Sequence, residues 1–487
     1  MTGRSADGLL KSPRWHLATR YTLVAALMLV LAPAVRATEI QGVQTFSADQ
    51  PQTSMMLLNP DGTPVQVDDG LGDGGTIYDI QTYLDTGTST AALISLETTQ
   101  SLNIGASGAT FNDVSLGGTS AYNISTPYAV TIGPFNANYN LSLGGNQPDQ
   151  SQFVAATGQV RLELNPNPAP LDPIFMEPDP IDITGMAALQ NKVVVIDLSQ
   201  ANYPNPISDP FGIGTAPVYV YPAGTPYRPS TISTDPGIVP TDRQIKVSFA
   251  NFARFTSVSP ADAAGPAFAA NPMIGPDPVA ALIPGHPVDN TPPVTITYGG
   301  HTSTGSFLFD TGAQASFIST AEARNVGVYQ TTVSGEPYLY TNPSNPTGSP
   351  VPGQFVETLT GADGNPEDVA GFNLDTLSLP TVQGDPITFD SAPVLVTDIT
   401  VTDPTDGVSL TLDGDLGMNF FYPSASDQGD IVQGAFNWLT FDQANGLIGV
   451  SFDPNVVEVP EPAAAGLFIF PALFLLARRR ANSPVRA

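Results

Sequence analysis

Two short motifs in this sequence place aspartates where they could act as a pair. Leu84-Asp85-Thr86-Gly87-Thr88-Ser89 and Phe309-Asp310-Thr311-Gly312-Ala313-Gln314 each set an aspartate before Thr-Gly at the end of an apolar run. Two carboxylates brought face to face cannot both ionise cheaply, so one pKa falls, the other rises, and the pair titrates as a unit. Such a pair shares one proton and offers a general base and a general acid at the same pH.

The elements that must position these aspartates are also duplicated. Ala92-Leu93-Ile94-Ser95 follows the first motif and Ser316-Phe317-Ile318-Ser319 the second. Further on, Ile181-Asp182-Ile183-Thr184-Gly185-Met186 matches Leu412-Asp413-Gly414-Asp415-Leu416-Gly417-Met418, with Gly185 100 residues after Asp85 and Gly417 107 residues after Asp310. Similar order and spacing in both halves predict an internal structural repeat. Short runs rich in Val, Ile, Phe and Tyr, bounded by Gly, Pro, Asn or Asp, predict an all-β protein. They include Val193 to Ile196, Val218 to Tyr221, Ile245 to Phe249, Val294 to Tyr298, Phe307 to Phe309, Val394 to Val396 and Leu447 to Val450. A short helix is expected after Ser319, with Glu322 three residues on as in a capping box, and a related one over Leu96 to Leu102. The proline-loaded stretch from Ala201 to Asn290, with one strand pattern over Arg243 to Phe252, reads as a connector that lends strands to a shared sheet.

Composition removes several kinds of chemistry. Cysteine is absent, so no disulfide framework, thiol nucleophile or Cys-type zinc site is available. Besides His16 near the start there are only His286 and His301, too few for a His-based triad or a His-rich metal site. Asp68, Asp69 and Asp73 have calcium-loop-like spacing but read better as an acidic, Gly-rich turn, and no metal or organic cofactor is expected. Nine of the 16 Lys and Arg lie before residue 38 or after residue 462, which leaves residues 38–462 with 7 basic against 44 acidic residues, a formal charge of −37. A body so acidic repels nucleic acid and anionic lipid. With few cations it also has few ion pairs to lose in acid, which suits work at low pH.

Both ends read as addresses. Arg14 and Arg20 precede an apolar run from Tyr21 to Ala32, and Val35 and Ala37 are placed as in a cleavage site, so residues 1–37 predict a signal peptide. At the other end, Pro460-Glu461-Pro462, an apolar stretch from Ala463 to Ala477 and the cluster Arg478-Arg479-Arg480 occur in that order. This tail, residues 457–487, resembles the PEP-CTERM sorting signals recognised by exosortases in bacteria with an outer membrane. The resemblance implies transient contact with the inner membrane, then release to the cell surface, outer membrane or extracellular matrix, with signal peptidase and exosortase as processing partners.

Across most of the body the chain resembles the pepsin-like and retropepsin-like aspartic proteases, on the strength of its paired Asp-Thr-Gly loops and downstream glycine segments. The resemblance implies two homologous β lobes with a cleft between them. The first lobe would span residues 38–200, the connector 201–290 and the second lobe 291–456. Asp85 and Asp310 match the catalytic positions. Thr86 and Thr311 match the threonines whose hydroxyls reach across to the opposite loop, and Gly87 and Gly312 match the glycines that let backbone approach a carboxylate. Thr88 can hydrogen-bond its carboxylate, whereas Ala313 in the second loop cannot. Ile183 with Gly185, and Leu416 with Gly417, match the segments that cross beneath each loop. Tyr122 and Tyr128 are candidates for the flap tyrosine. The implied activity is endopeptidase hydrolysis of a polypeptide substrate by a monomer. The alternatives are a catalytically inactive surface or matrix protein that keeps the fold as a binding module, and a protease that processes its own chain.

Overall fold

Short runs of β-branched, aromatic and aliphatic residues form strands throughout, and the protein is mostly β. The computed structural model describes most of residues 38–453. Residues 1–37, 135–149, 202–215, 223–242, 252–269, 275–293 and 454–487 lie outside the description, as do shorter pieces elsewhere. The expected signal peptide and sorting tail, the 68–73 acidic turn, His286 and most of the connector therefore fall outside it. Residues Ala37–Glu458 form one compact unit. Among the described residues no helix is long and apolar enough to cross a membrane.

The architecture follows from six short strands: β1 (Ile80–Leu84), β2 (Ala92–Ile94), β3 (Ile183–Thr184), β4 (Phe307–Phe309), β5 (Phe317–Ile318) and β6 (Gly414–Leu416). In the first half, β3 lies between β1 and β2, parallel to β1 with Thr184 opposite Leu84 and antiparallel to β2 with Ile183 opposite Leu93. In the second half, β6 lies between β4 and β5 in the same way, with Leu416 opposite Phe309 and Asp415 opposite Phe317. The sequence repeat is thus a repeat of topology. Each aspartate loop leaves one strand and returns along another, and a strand from about 100 residues downstream fills the gap between them.

Each unit sits in a larger sheet, nine-stranded for the first half and eleven-stranded for the second. A five-stranded sheet joins the halves, with Lys192–Asp197 antiparallel to Phe436–Asp442, and with Val218–Pro222 and Arg243–Lys246 at its edges. The strand pattern expected over Arg243 to Phe252 is divided. Arg243–Lys246 pairs with Leu447–Phe452, whereas Ser248–Asn251 pairs with Ala270–Ile274 in the eleven-stranded sheet. The chain changes partner between two sheets, which alternation alone does not report. The start of the first half also joins the second, because Thr38–Ile40 adds in parallel to Ile387–Val396.

Both expected helices form. Ser95 accepts the Thr98 N–H at 3.2 Å and caps Leu96–Ser101, and Ser319 accepts the Glu322 N–H at 3.1 Å and caps Thr320–Asn325. Glu322 accepts from the Asn325 amide at 3.2 Å. Beneath the second motif lies an aromatic core. Phe309 contacts Phe421 and Phe441 with ring centroids 4.6 and 5.3 Å apart, and Phe421 stacks on Phe436 at 5.7 Å. Each of these side chains, buried from water, contributes about 1.5–3 kcal/mol, so β4 is held firmly where Asp310 begins.

Candidate active site

The two aspartates stand at the C-terminal ends of β1 and β4, and the neighbouring crossing strand fixes each backbone. Asp85 N–H donates to Thr184 O, and Asp310 N–H donates to Leu416 O, both at 2.9 Å. The crossing segments need their glycines, because a Cβ at Gly185 would collide with the Thr90 carbonyl and one at Gly417 with the Ala315 carbonyl. Gly185 N–H then bonds Ala91 O at 3.0 Å, and Met418 N–H bonds Ala313 O at 2.8 Å. Side chains add to this backbone frame, with the Ser316 hydroxyl accepting the Gly417 N–H at 2.9 Å and the Thr82 and Thr184 hydroxyls bonded at 2.6 Å.

The loops are tied to each other through the threonines. Thr86 N–H donates to Thr311 Oγ1 at 3.0 Å, and Thr311 N–H donates to Thr86 Oγ1 at 3.1 Å. Thr86 Oγ1 donates to Phe309 O at 2.6 Å, and Thr311 Oγ1 donates to Leu84 O. Both threonines are wholly buried. Four reciprocal bonds in a dry site leave little freedom between the loops, since breaking any one strands a buried polar group.

This frame brings Asp85 and Asp310 together, 225 positions apart in the chain though they are. A Cβ built on Gly87 would lie 2.5 Å from the Asp310 carboxyl carbon, and one built on Gly312 would lie 2.5 Å from that of Asp85. Each carboxyl therefore rests over the other loop's glycine, where a side chain would displace it, and the two carboxyls are in hydrogen-bond contact. Asp85 Oδ1 accepts from Gly87 N–H at 2.7 Å and Thr88 N–H at 3.0 Å, and Asp310 Oδ1 accepts from Gly312 N–H at 2.7 Å. Thr88 thus reaches Asp85 through its backbone, where its hydroxyl was expected. Both aspartates are partly buried, as are Gly87, Thr88, Gly312 and Ala313 beside them.

Burial, and then the charge of Asp310, pushes the Asp85 carboxyl well above the usual carboxylate range. Burial also raises Asp310, but hydrogen bonds from Asp85, Gly312 N–H, Asp415 and Gly87 N–H hold it back. Both carboxyls are raised and in contact, so the pair holds one proton between them over the acid range.

Asp415 is a functional candidate that the motif search missed. It lies on β6, is 3 % exposed, and has a carboxyl in hydrogen-bond contact with Asp310. Its signal in the sequence is a mismatch: aligned on Gly185 and Gly417, Asp415 falls opposite Ile183 of the first copy. Gln50 is a second addition, its side-chain amide donating to Gly312 O. Beside it Asp49 is raised to about 7 by burial.

Both flap candidates are buried side chains of the first half. Tyr122 is 3 % exposed and packs with Leu93 and Ile183, and Tyr128 is buried with its hydroxyl accepting the Gly105 N–H at 3.1 Å. Both are built into the core of the first half, because alternation along their strands turns them inward. His301 is exposed on the strand His301–Gly305. Among the described residues no group of three or more His, Cys, Asp or Glu has the arrangement to hold a metal ion. No protein-family model matches the chain, and no curated protein matches it.

Proposed function

We propose that the protein is an exported aspartic endopeptidase with a bilobal, pepsin-like body, each half of the chain forming one lobe and the aspartates lying at the base of the cleft. The observation that carries this reading is the reciprocal seating of Asp85 and Asp310, each carboxyl over the other loop's glycine and in contact with its partner. A water bound between them would lose a proton to the ionised carboxylate as its oxygen attacks the scissile carbonyl. The protonated carboxyl would polarise that carbonyl and then protonate the leaving amine as the C–N bond breaks. An extended peptide fits this geometry, its backbone pairing like a strand and its side chains entering apolar subsites.

The test is cleavage of denatured protein by the full chain at acidic pH, with the Asp85→Asn and Asp310→Asn variants alongside. Either substitution removes a proton-transfer partner and should lower kcat by about 10²–10⁴-fold with the fold intact. Pepstatin-type inhibitors should block the wild type. Undiminished cleavage in either variant would remove that aspartate from the mechanism. A wild type that cleaves nothing and binds no such inhibitor would point to a non-catalytic binding module instead.

Export and surface sorting rest on the sequence of the two ends: the apolar run before Ala37, and Pro460-Glu461-Pro462 with Arg478, Arg479 and Arg480. Mass spectrometry of the chain recovered outside the cell should find termini near residues 38 and 460.

A further inference from the structure

The two halves use matched strands to support matched loops, yet they differ at several buried positions, one of which bears on the aspartates. In the first half the middle residue of the crossing strand's approach is Ile183, packed with Leu93 and Tyr122. In the second half that place belongs to Asp415. The fold does not demand an acid here, since the first half is built with a hydrocarbon. A carboxyl in a dry strand core is costly unless it is neutral and hydrogen-bonded.

Its position explains what it bonds to. Asp415 lies opposite Leu308 on β4, and side chains two apart on a strand share a face, so Asp415 sits on the same face as Asp310 and one diagonal away. On the other side its neighbour is Phe317, within an apolar cluster with Ala315, Val369 and Leu395. The charged groups that bear on Asp415 are Asp310 and Asp85, both acidic. Asp413, two residues earlier, turns away to accept the Ser306 N–H at 2.9 Å. Asp415 Oδ1 is buried and receives no N–H or O–H donor. An acid with no cation beside it, no donor on Oδ1 and two acidic neighbours keeps its proton, and a carboxyl in contact with another must place that proton between them.

We propose that Asp415 is a positioning residue of the dyad, a third carboxyl whose O–H donates to Asp310, fixes its orientation and favours negative charge there, leaving Asp85 to carry the shared proton. Asp310 is then the general base and Asp85 the general acid. The proposal rests on the endopeptidase reading, which left the two roles open.

Two variants of the full chain test it. Asp415→Asn keeps a neutral donor of the same shape, so the acid limb of the kcat/KM profile should stay in place and kcat should remain within about threefold. Asp415→Ile installs the first half's residue and removes the donor. The Asp310 carboxylate then loses a charge-assisted bond, the acid limb should move up by about one pH unit, and kcat below it should fall about tenfold with KM little changed. Its melting temperature should hold or rise. The proposal is overturned if Asp415→Asn moves the acid limb downward, which marks an ionised Asp415. It is equally overturned if both variants lose activity and stability together with unmoved limbs, which marks a merely structural role. Should the wild type cleave nothing, carboxyl NMR of ¹³C-aspartate-labelled full chain reads the same proton. Asp415→Asn should delete one carboxyl that stays protonated at neutral pH and leave the Asp310 signal in place, and a shifted Asp310 signal would refute the assignment.

Discussion

A methyl group added at Gly87 would lie 2.5 Å from the carboxyl carbon of Asp310 and equally close to its Oδ2. The obstacle is the free end of a side chain, so the chain can accommodate the methyl by turning Asp310 aside. Gly87→Ala should therefore spare the fold and harm the proposed hydrolysis. Displacing a catalytic group by about 1 Å costs on the order of 100-fold in rate, so kcat should fall by about that factor while the melting temperature moves by a few degrees at most. Steady-state kinetics and a thermal melt on one preparation check both halves of that expectation, and an equal loss of both would show that the glycine serves folding instead. Asp85, Thr86, Asp310 and Thr311 were legible in the sequence because the site repeats them in order. Asp415 was not legible as a partner of Asp310, because that contact depends on the register of β6 against β4. Tyr122 and Tyr128 were equally ambiguous, since a tyrosine in a strand shows its direction only once the strand has neighbours.

The strands that carry the aspartates are short, and their stability is borrowed from what lies beneath them. Phe309 is fully buried against Phe421 and Phe441, and its carbonyl accepts the Thr86 hydroxyl. Phe309→Ala would leave a cavity under β4 and should cost about 3–5 kcal/mol in chemical denaturation, with activity lost through unfolding. A loss below about 1 kcal/mol would mean that the aromatic layer collapses easily and does not brace the loop. At this scale the sequence was informative wherever a strand is apolar and bounded by turn residues, as at Lys192–Asp197 or Leu447–Phe452. It was less so where one apolar pattern serves two sheets, as over Arg243–Lys246 and Ser248–Asn251. Alternation reports that a segment is extended and half-buried, and says nothing of which sheet claims it.

Over the whole molecule, the excess of carboxylates over cations sets how stability answers to pH. The body carries 7 basic residues against 44 acidic ones, so most carboxylates cannot be ion-paired. Pairs such as Arg243–Asp385, at 3.3 Å and partly exposed, add little. Several acids are instead held above their ordinary values by burial: Asp49 to about 7, and Asp182, Asp197 and Glu322 by smaller amounts, beside Asp85, Asp310 and Asp415. Near pH 3 each is protonated in both the folded and the unfolded chain and imposes no penalty. As pH rises past about 4 the unfolded chain releases these protons first, so folding loses stability progressively until each folded-state value is passed, near 7 for Asp49. Lys192, lowered to about 8 by burial, is protonated in both states throughout that range and does not alter the trend. Repulsion among the surface carboxylates grows over the same interval and acts in the same direction. The melting temperature of the full chain should accordingly be higher at pH 4 than at pH 7.5, the reverse of the usual preference for near-neutral pH. A calorimetric scan across that range measures it directly. A melting temperature that climbed toward neutrality would show that these buried acids are ionised and paired in the folded state, and would remove the physical basis for an enzyme suited to acid.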